Sequence, residues 1–221
     1  MPVITVSKEH GAGGKHICEA LARGLGYDLV DKALIVKVAQ QAKVTANRVE
    51  NFDQEGYSPL TKYLDNVFLS NPGLYSGGAF EATLPGAGLM APVSDQYDFF
   101  NAEQYLQLTR TVIESLYQKG NVVIVGRGSQ VILGDKPSCL HLRLTAPLEY
   151  RIGRVTSRQN VSPKEARDII HKRDKSRASY IRDYYGQDWS DAALYHLVVN
   201  TSRWTMDGVA GLVAGAIKQI T

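Results

Sequence analysis

Between the apolar run PVITV and a helical stripe of apolar residues lies SKEHGAGGKHICEAL, residues 7–21. This stretch limits the fold more than any other. A glycine-rich turn leaving a buried strand and opening a helix belongs to α/β architecture, where strands lie parallel and helices carry the crossovers. It also places unpaired helix N–H groups and a positive dipole end at the turn's mouth, an arrangement suited to anions. Gly11, Ala12, Gly13 and Gly14 let the backbone curl close to a bound group and take positive φ where needed. Lys15 or Lys8 can add a point charge. The spelling is irregular. A phosphate-binding P-loop reads G-x-x-x-x-G-K-[ST]; here Gly14-Lys15 gives the G-K, Glu9 stands at the first glycine and His16 at the hydroxyl. Three readings stay open: a working cradle, a variant, or a tight turn without chemistry. His16 is a poor ligand for a hard cation such as Mg²⁺, so a metal would lean on Ser7 through water or on substrate phosphates.

The rest of the chain alternates in the same sense. VITV (3–6), DLVD (28–31), NVVIVGRG (121–128), CLHLRLTA (139–146) and YHLVVNT (195–201) read as strands. Helices are expected after the glycine turn, over KALIVKVAQQA (32–42), over 102–120, from PLEYRIGRVTSRQ (proline in the first turn), over 162–185 behind a serine cap, and over 205–220. This ordering predicts an α/β fold with a parallel sheet flanked by helices, as a single domain over residues 1–221. Residues 46–101 break the pattern: rich in Gly, Pro and aromatics and without period, they read as an irregular insertion. Residues 162–189 read as a basic, lid-like helix.

Apolar residues make up 44% of the 221 and charged residues 21%, as in ordinary globular chains. No stretch reaches 18 uninterrupted apolar residues, so no membrane span is expected. The start goes straight into a strand, so no signal peptide is expected. Cys18 and Cys139 lie far apart in apolar patterns, with neither disulfide nor metal spacing, which suits a reducing, cytoplasmic setting. The five histidines form no cluster, and no nucleophile elbow occurs. Net charge is +3, yet Arg143 to Arg182 alone carries eleven Lys/Arg against four Asp/Glu, a balance of +7. Such a segment calls for an anionic partner or a solvated face.

Two further features bear on that partner. Arg127 stands at the C-terminal end of a buried strand, the edge where open parallel sheets bind ligands; a salt bridge to a core carboxylate is the alternative. Arg173 and Arg177 are four apart and share a helix face, where two guanidinium forks can clamp a phosphoryl group.

With the loop, Arg127 and the basic helix together, the chain resembles the cytidylate kinase-like family, a branch of the P-loop nucleoside monophosphate kinases. SKEHGAGGKHI with YDLVDKALI resembles the family's opening, VVIVGRGSQVIL its Gly-Arg strand end, LHLRLTAPLEYRIGRV the next strand and helix, RDKSR the start of its lid, and LVVNTSRWTMDGVAGLV its final strand and helix. The resemblance implies a P-loop kinase fold: a parallel five-stranded sheet flanked by helices, with a helical lid. It implies ATP with Mg²⁺ as donor and a nucleoside monophosphate, CMP or dCMP among the candidates, as acceptor. By position it gives the donor phosphates to Ser7, Lys8, Gly11 to Lys15 and His16, and the donor base to Asn200, Thr201 and Ser202. Lys15, Arg127, Arg173 and Arg177 would act on the transferring group, and Asp31, Lys37, Arg127 and Arg182 would bind acceptor. No protein-held metal site is expected. The family's usual loop, G-x-G-K-G-[ST], ends in a hydroxyl that this chain lacks. Gly128 stands where an acidic residue usually follows the Gly-Arg pair.

A phosphotransferase is therefore expected, with the basic helix swinging inward over bound substrates. A non-catalytic nucleotide sensor on the same fold is the alternative. A nucleic-acid module is not expected, since the basic segment lacks interleaved aromatics and a helix-turn-helix pattern. The apolar residues of 51–100 would suit a homodimer contact.

Overall fold

The computed structural model describes residues 1–31 and 102–220. The chain divides into two compact units, residues 1–32 with 116–221 and residues 33–115. The expected helix at 32–42, Lys37, the 46–101 insertion and its dimer contact lie outside the described residues.

Five strands form one parallel sheet: β1 (Val3–Lys8), β2 (Asp28–Val30), β3 (Val122–Val125), β4 (Cys139–Thr145) and β5 (Leu197–Asn200), in the order β2-β3-β1-β4-β5. The helices are α1 (Gly14–Leu25), α2 (Ala102–Lys119), the short α3 (Ser129–Ile132), α4 (Leu148–Gln159), α5 (Pro163–Tyr185) and α6 (Met206–Ala216). β1 sits at the centre because Val3 to Ser7 are all buried, as a strand covered on both faces must be. Even its polar Thr5 is satisfied, through a 2.7 Å bond with His141 Nδ1.

α1 turns Ile17, Cys18, Leu21 and Ala22 inward and ends at Gly26, whose φ of +68° closes the helix in the left-handed region. With Ile4, Val6, Leu142, Leu144, Val209 and Val213 this stripe makes the main core. A smaller cluster of Ile152, Val155, Ala166 and Ile170 joins α4 to the first half of α5. Truncating a leucine or isoleucine of either core to Ala would cost ~2–5 kcal/mol.

α5 begins with the expected cap: Ser162 Oγ accepts from Glu165 N–H, and Glu165 Oε2 accepts from Ser162 N–H. It runs unbroken for 23 residues. Beyond it, Trp189 and Tyr195 close over the buried Arg143 side chain, which donates to the Trp189 carbonyl and lies 4.3 Å from the indole. The basic helix is thus fixed at its start by the α4 contact and just past its end by this cluster.

Three boundaries differ from expectation. Pro147 is the residue before α4 rather than inside its first turn, its ψ of 144° keeping it extended. The last strand is shorter than 195–201, because Tyr195 is taken by the arginine cluster and Thr201 starts a 3₁₀ turn capped by Asn200 Oδ1. The closing helix gives way at Ile217 to a 3₁₀ turn. No helix of the described residues is long and apolar enough to cross a membrane, and Cys18 and Cys139 are free and buried.

Candidate functional site

The glycine turn occupies the C-terminal edge of the central strand, where β3 and β4 flank β1 and the chain changes sides. In open parallel sheets a crevice forms at such a point. Gly11 (φ +87°) and Gly13 (φ +81°) take left-handed backbone, and α1 begins directly after them. Gly13 caps that helix without any side-chain bond, and its first turn holds no acidic residue. The helix N-terminus therefore opens onto the turn with its dipole uncompensated by protein.

Four side chains from distant parts of the sequence hold the turn. Glu9 accepts from Ala146 N–H at 3.1 Å, and its carboxylate lies 3.4 Å from Arg151 Nε and 3.8 Å from an Arg143 nitrogen. Arg151, on α4, donates to the Ala146 and His10 carbonyls and to Asp174. Asp174, on α5, accepts from His10 N–H at 2.8 Å and from Arg177 at 2.8 Å. Thr201 Oγ1 donates to the Ala12 carbonyl at 2.8 Å and lies within bonding distance of the Thr145 carbonyl.

In front of the turn lies a cleft of about 980 Å³. Its cationic lining is Lys8, Lys15, Arg154, Arg158, Arg173 and Arg177; its carboxylates are Glu9 and Glu149. Both acids are committed, Glu9 as above and Glu149 to Arg167 at 2.7 Å. Lys8 packs along Gly14, and burial lowers its pKa. Burial also lowers that of Arg177, against the opposing pull of Asp174. His10 is pushed down to about 4 by burial and by the guanidiniums of Arg173 and Arg177, so it is neutral near pH 7. Lys8 and Arg177 are thus partly withdrawn from water, which is costly for a cation unless an anion joins it.

Of the residues singled out in the sequence, Lys8, Gly11, Gly13, Gly14, Lys15, His16, Arg173 and Arg177 line this cleft. Lys15 is largely exposed and lies 3.8 Å from Glu19. Ala12 is buried, its carbonyl held by Thr201. Ser7 is placed differently from the expectation of metal contact: its buried hydroxyl accepts from Trp189 Nε1 at 2.7 Å and lies 3.4 Å from the Tyr195 hydroxyl. Asn200, Thr201 and Ser202 form a turn outside the cleft lining, tied to the loop through Thr201 and the Ala12 carbonyl. Asp31 is exposed at the end of β2 and acts on the charge of Lys8. Arg182 points along its own helix to Asp183 and Ser179 and is not brought to the cleft.

Arg127 lies outside the cleft, in a left-handed run formed by Gly126 (φ +78°), Arg127 (φ +59°) and Gly128 (φ +70°). Non-glycine residues there carry strain and concentrate at functional positions. Tyr185 OH donates to the Arg127 carbonyl, and the guanidinium lies 5.9 Å from the Tyr180 ring.

Arg154 and Arg158 also line the cleft and were not among the residues singled out above. Arg151, Arg154 and Arg158 recur at helical spacing, a basic face that a helical projection would have exposed. The ties that Glu9, Arg151 and Asp174 make to one another's elements gave no local signal.

A Mg²⁺ ion held by protein does not fit these residues. The hydroxyl position is His16, Ser7 is engaged in the core, and Glu9 and Asp174 are bonded to arginines. Among the described residues no group of three or more His, Cys, Asp or Glu is arranged to hold a metal.

Comparison with known proteins bears on the family and the fold. The model of the cytidylate kinase-like family matches residues 3–203. A cytidylate kinase of Pyrococcus horikoshii is 31% identical over 147 residues, covering 66% of this chain and 75% of that protein. One from Pyrococcus furiosus is 29% identical over 218 residues, covering 99% of this chain and 89% of that protein. The crystal structure of an uncharacterized protein from Eubacterium ventriosum superposes with a TM-score of 0.67 at 18% identity, covering 99% of both chains.

Proposed function

The chain belongs to the cytidylate kinase-like family, and from that premise we propose that it transfers the terminal phosphoryl group of ATP to a nucleoside monophosphate or a similar small acceptor. The observation that carries this reading is the convergence, on one cleft, of an open helix N-terminus and six cationic side chains. A triphosphate tail is the kind of polyanion that such a cleft would accommodate.

Phosphoryl transfer asks little covalent chemistry of a protein; it asks for in-line positioning and stabilisation of spreading negative charge. In this reading the amides of Gly11 to Lys15 hold the donor phosphates, and Lys8 regains through them the charge partner that burial denies it. Arg173 and Arg177 face the transferring group. Arg127, on its strained turn, meets the acceptor phosphate, and Asn200 to Ser202 lie toward the donor base. Magnesium enters chelated by the triphosphate, and no step is assigned to it.

The test is a product assay with ATP–Mg²⁺ against the full set of nucleoside monophosphates, run beside the Arg173→Ala variant. Product should form from at least one acceptor. The variant should lose at least hundredfold in turnover, in line with the worth of a charge-stabilising arginine, while melting within a few degrees of the parent. Unchanged turnover in the variant would reject the role of Arg173. The absence of a hydroxyl at His16 and the engagement of Ser7 favour a second reading, a nucleotide sensor. Stabilisation by ATP without product from any acceptor would select it.

A further inference from the structure

Among the described residues, Asp174 is the one acidic side chain that touches the glycine turn, helix α4 and the basic face of α5 at once. One carboxylate oxygen accepts from His10 N–H at 2.8 Å and from Arg177 at 2.8 Å; the other accepts from Arg151 at 2.5 Å. Its side chain is 18% exposed and that of Arg151 is 11% exposed. Arg151 in turn packs under the turn, where a Cβ added at Gly11 would lie 3.0 Å from its own Cβ. A carboxylate with three charge-assisted or backbone donors on two oxygens has little freedom, so the groups it binds are fixed with it.

From this we infer that Asp174 is a positioning residue for the phosphate cleft: it sets the height of the turn at His10 and aims Arg177 into the cleft, so that backbone donors and guanidinium meet one polyphosphate. The inference rests on the phosphotransferase reading above. A surface role does not account for the arrangement. A helix that needed only solubility would not turn its carboxylate onto a loop amide 164 residues away, nor pair it with two half-buried arginines.

The geometry separates position from charge. Asp174→Asn keeps the shape and removes the charge, leaving Arg151 and Arg177 without their common anion. Asp174→Glu keeps the charge and shifts the carboxylate outward by one methylene. If position is what matters, Glu restores the melting temperature lost in Asn but not nucleotide binding, because the displaced carboxylate moves the His10 amide and Arg177 away from where one polyphosphate meets both. The experiment measures the dissociation constant of a non-hydrolysable ATP analogue by calorimetry, KM for ATP and for the acceptor, kcat, and the melting temperature of each variant.

The expected result is at least a tenfold weaker analogue affinity and a matching rise in KM for ATP in both variants. The acceptor KM should be unchanged within twofold, and Asp174→Glu should melt near the parent. An affinity that follows stability, low in Asn and fully restored in Glu, would overturn the positioning role. If Asp174→Asn does not fold, Arg177→Gln serves instead. Combined with Asp174→Glu, it should weaken the analogue no further than the worse single variant, whereas additive losses would refute the link. A parent chain that fails to bind the analogue removes the phosphotransferase reading and this inference with it. A parent that binds, beside two variants that bind equally well, removes this inference alone.

Discussion

Replacing Gly11 with alanine tests the close approach on which the cleft depends. Gly11 has φ +87°, and an added Cβ would lie 3.0 Å from both the Cβ and the carbonyl oxygen of Arg151. Alanine in the left-handed region costs ~1–2 kcal/mol, and crowding of this kind adds ~1–3 kcal/mol. The expected loss is about 3 kcal/mol, which in a chain of this size lowers the melting temperature by about 6–12 °C. The second consequence is functional. Arg151 cannot yield without disturbing its bonds to Ala146, His10 and Asp174, so nucleotide affinity should fall at least tenfold. Gly211→Ala provides the contrast: this glycine is inside α6, exposed, with nothing within 4 Å of an added Cβ. There alanine should stabilise by ~0.5–1 kcal/mol through helix propensity. Scanning calorimetry and titration with an ATP analogue read both effects. A Gly11→Ala protein that melts and binds like the parent would refute the packing of Arg151 against the turn.

Stability should also respond to pH in a defined window. His10 and His141 are each held down to about 4, chiefly by burial, against 6.5 in an unfolded chain. The unfolded state therefore takes up protons first, and the stability these two residues contribute is complete above pH 6.5 and lost as pH falls toward 4. His10→Gln should flatten part of that slope, and identical melting curves for parent and variant from pH 4 to 7 would contradict the burial of His10. Thr201→Val keeps shape but removes the donor to the Ala12 carbonyl. It should cost ~1–2 kcal/mol in denaturant unfolding and weaken nucleotide binding, and an unchanged denaturation midpoint would count against that tie.

What could be read from the sequence was whatever local chemistry decides. The strand, glycine turn and helix at the start, the Ser162–Glu165 cap and the basic face of α5 all follow from neighbours within a few residues. Ser7 could not be oriented that way. A strand buried on both faces has no alternation to show which side a hydroxyl meets, and only the fold brings Trp189 to it. The bonds of Glu9, Arg151 and Asp174 were invisible for the same reason, since they span turn, α4 and α5. The irregular spelling of the loop then has a physical account. Glycine is required where φ is positive, at Gly11 and Gly13, and where Lys8 leaves no room for a Cβ, at Gly14. Residue 9 has no such φ, so it can carry a side chain, and glutamate there ties the turn to β4 and α4. A glycine at 9 would remove both the bond to Ala146 and one of the two carboxylate partners of Arg151. The departure from the usual motif at residue 9 is thus part of how this turn is held in shape.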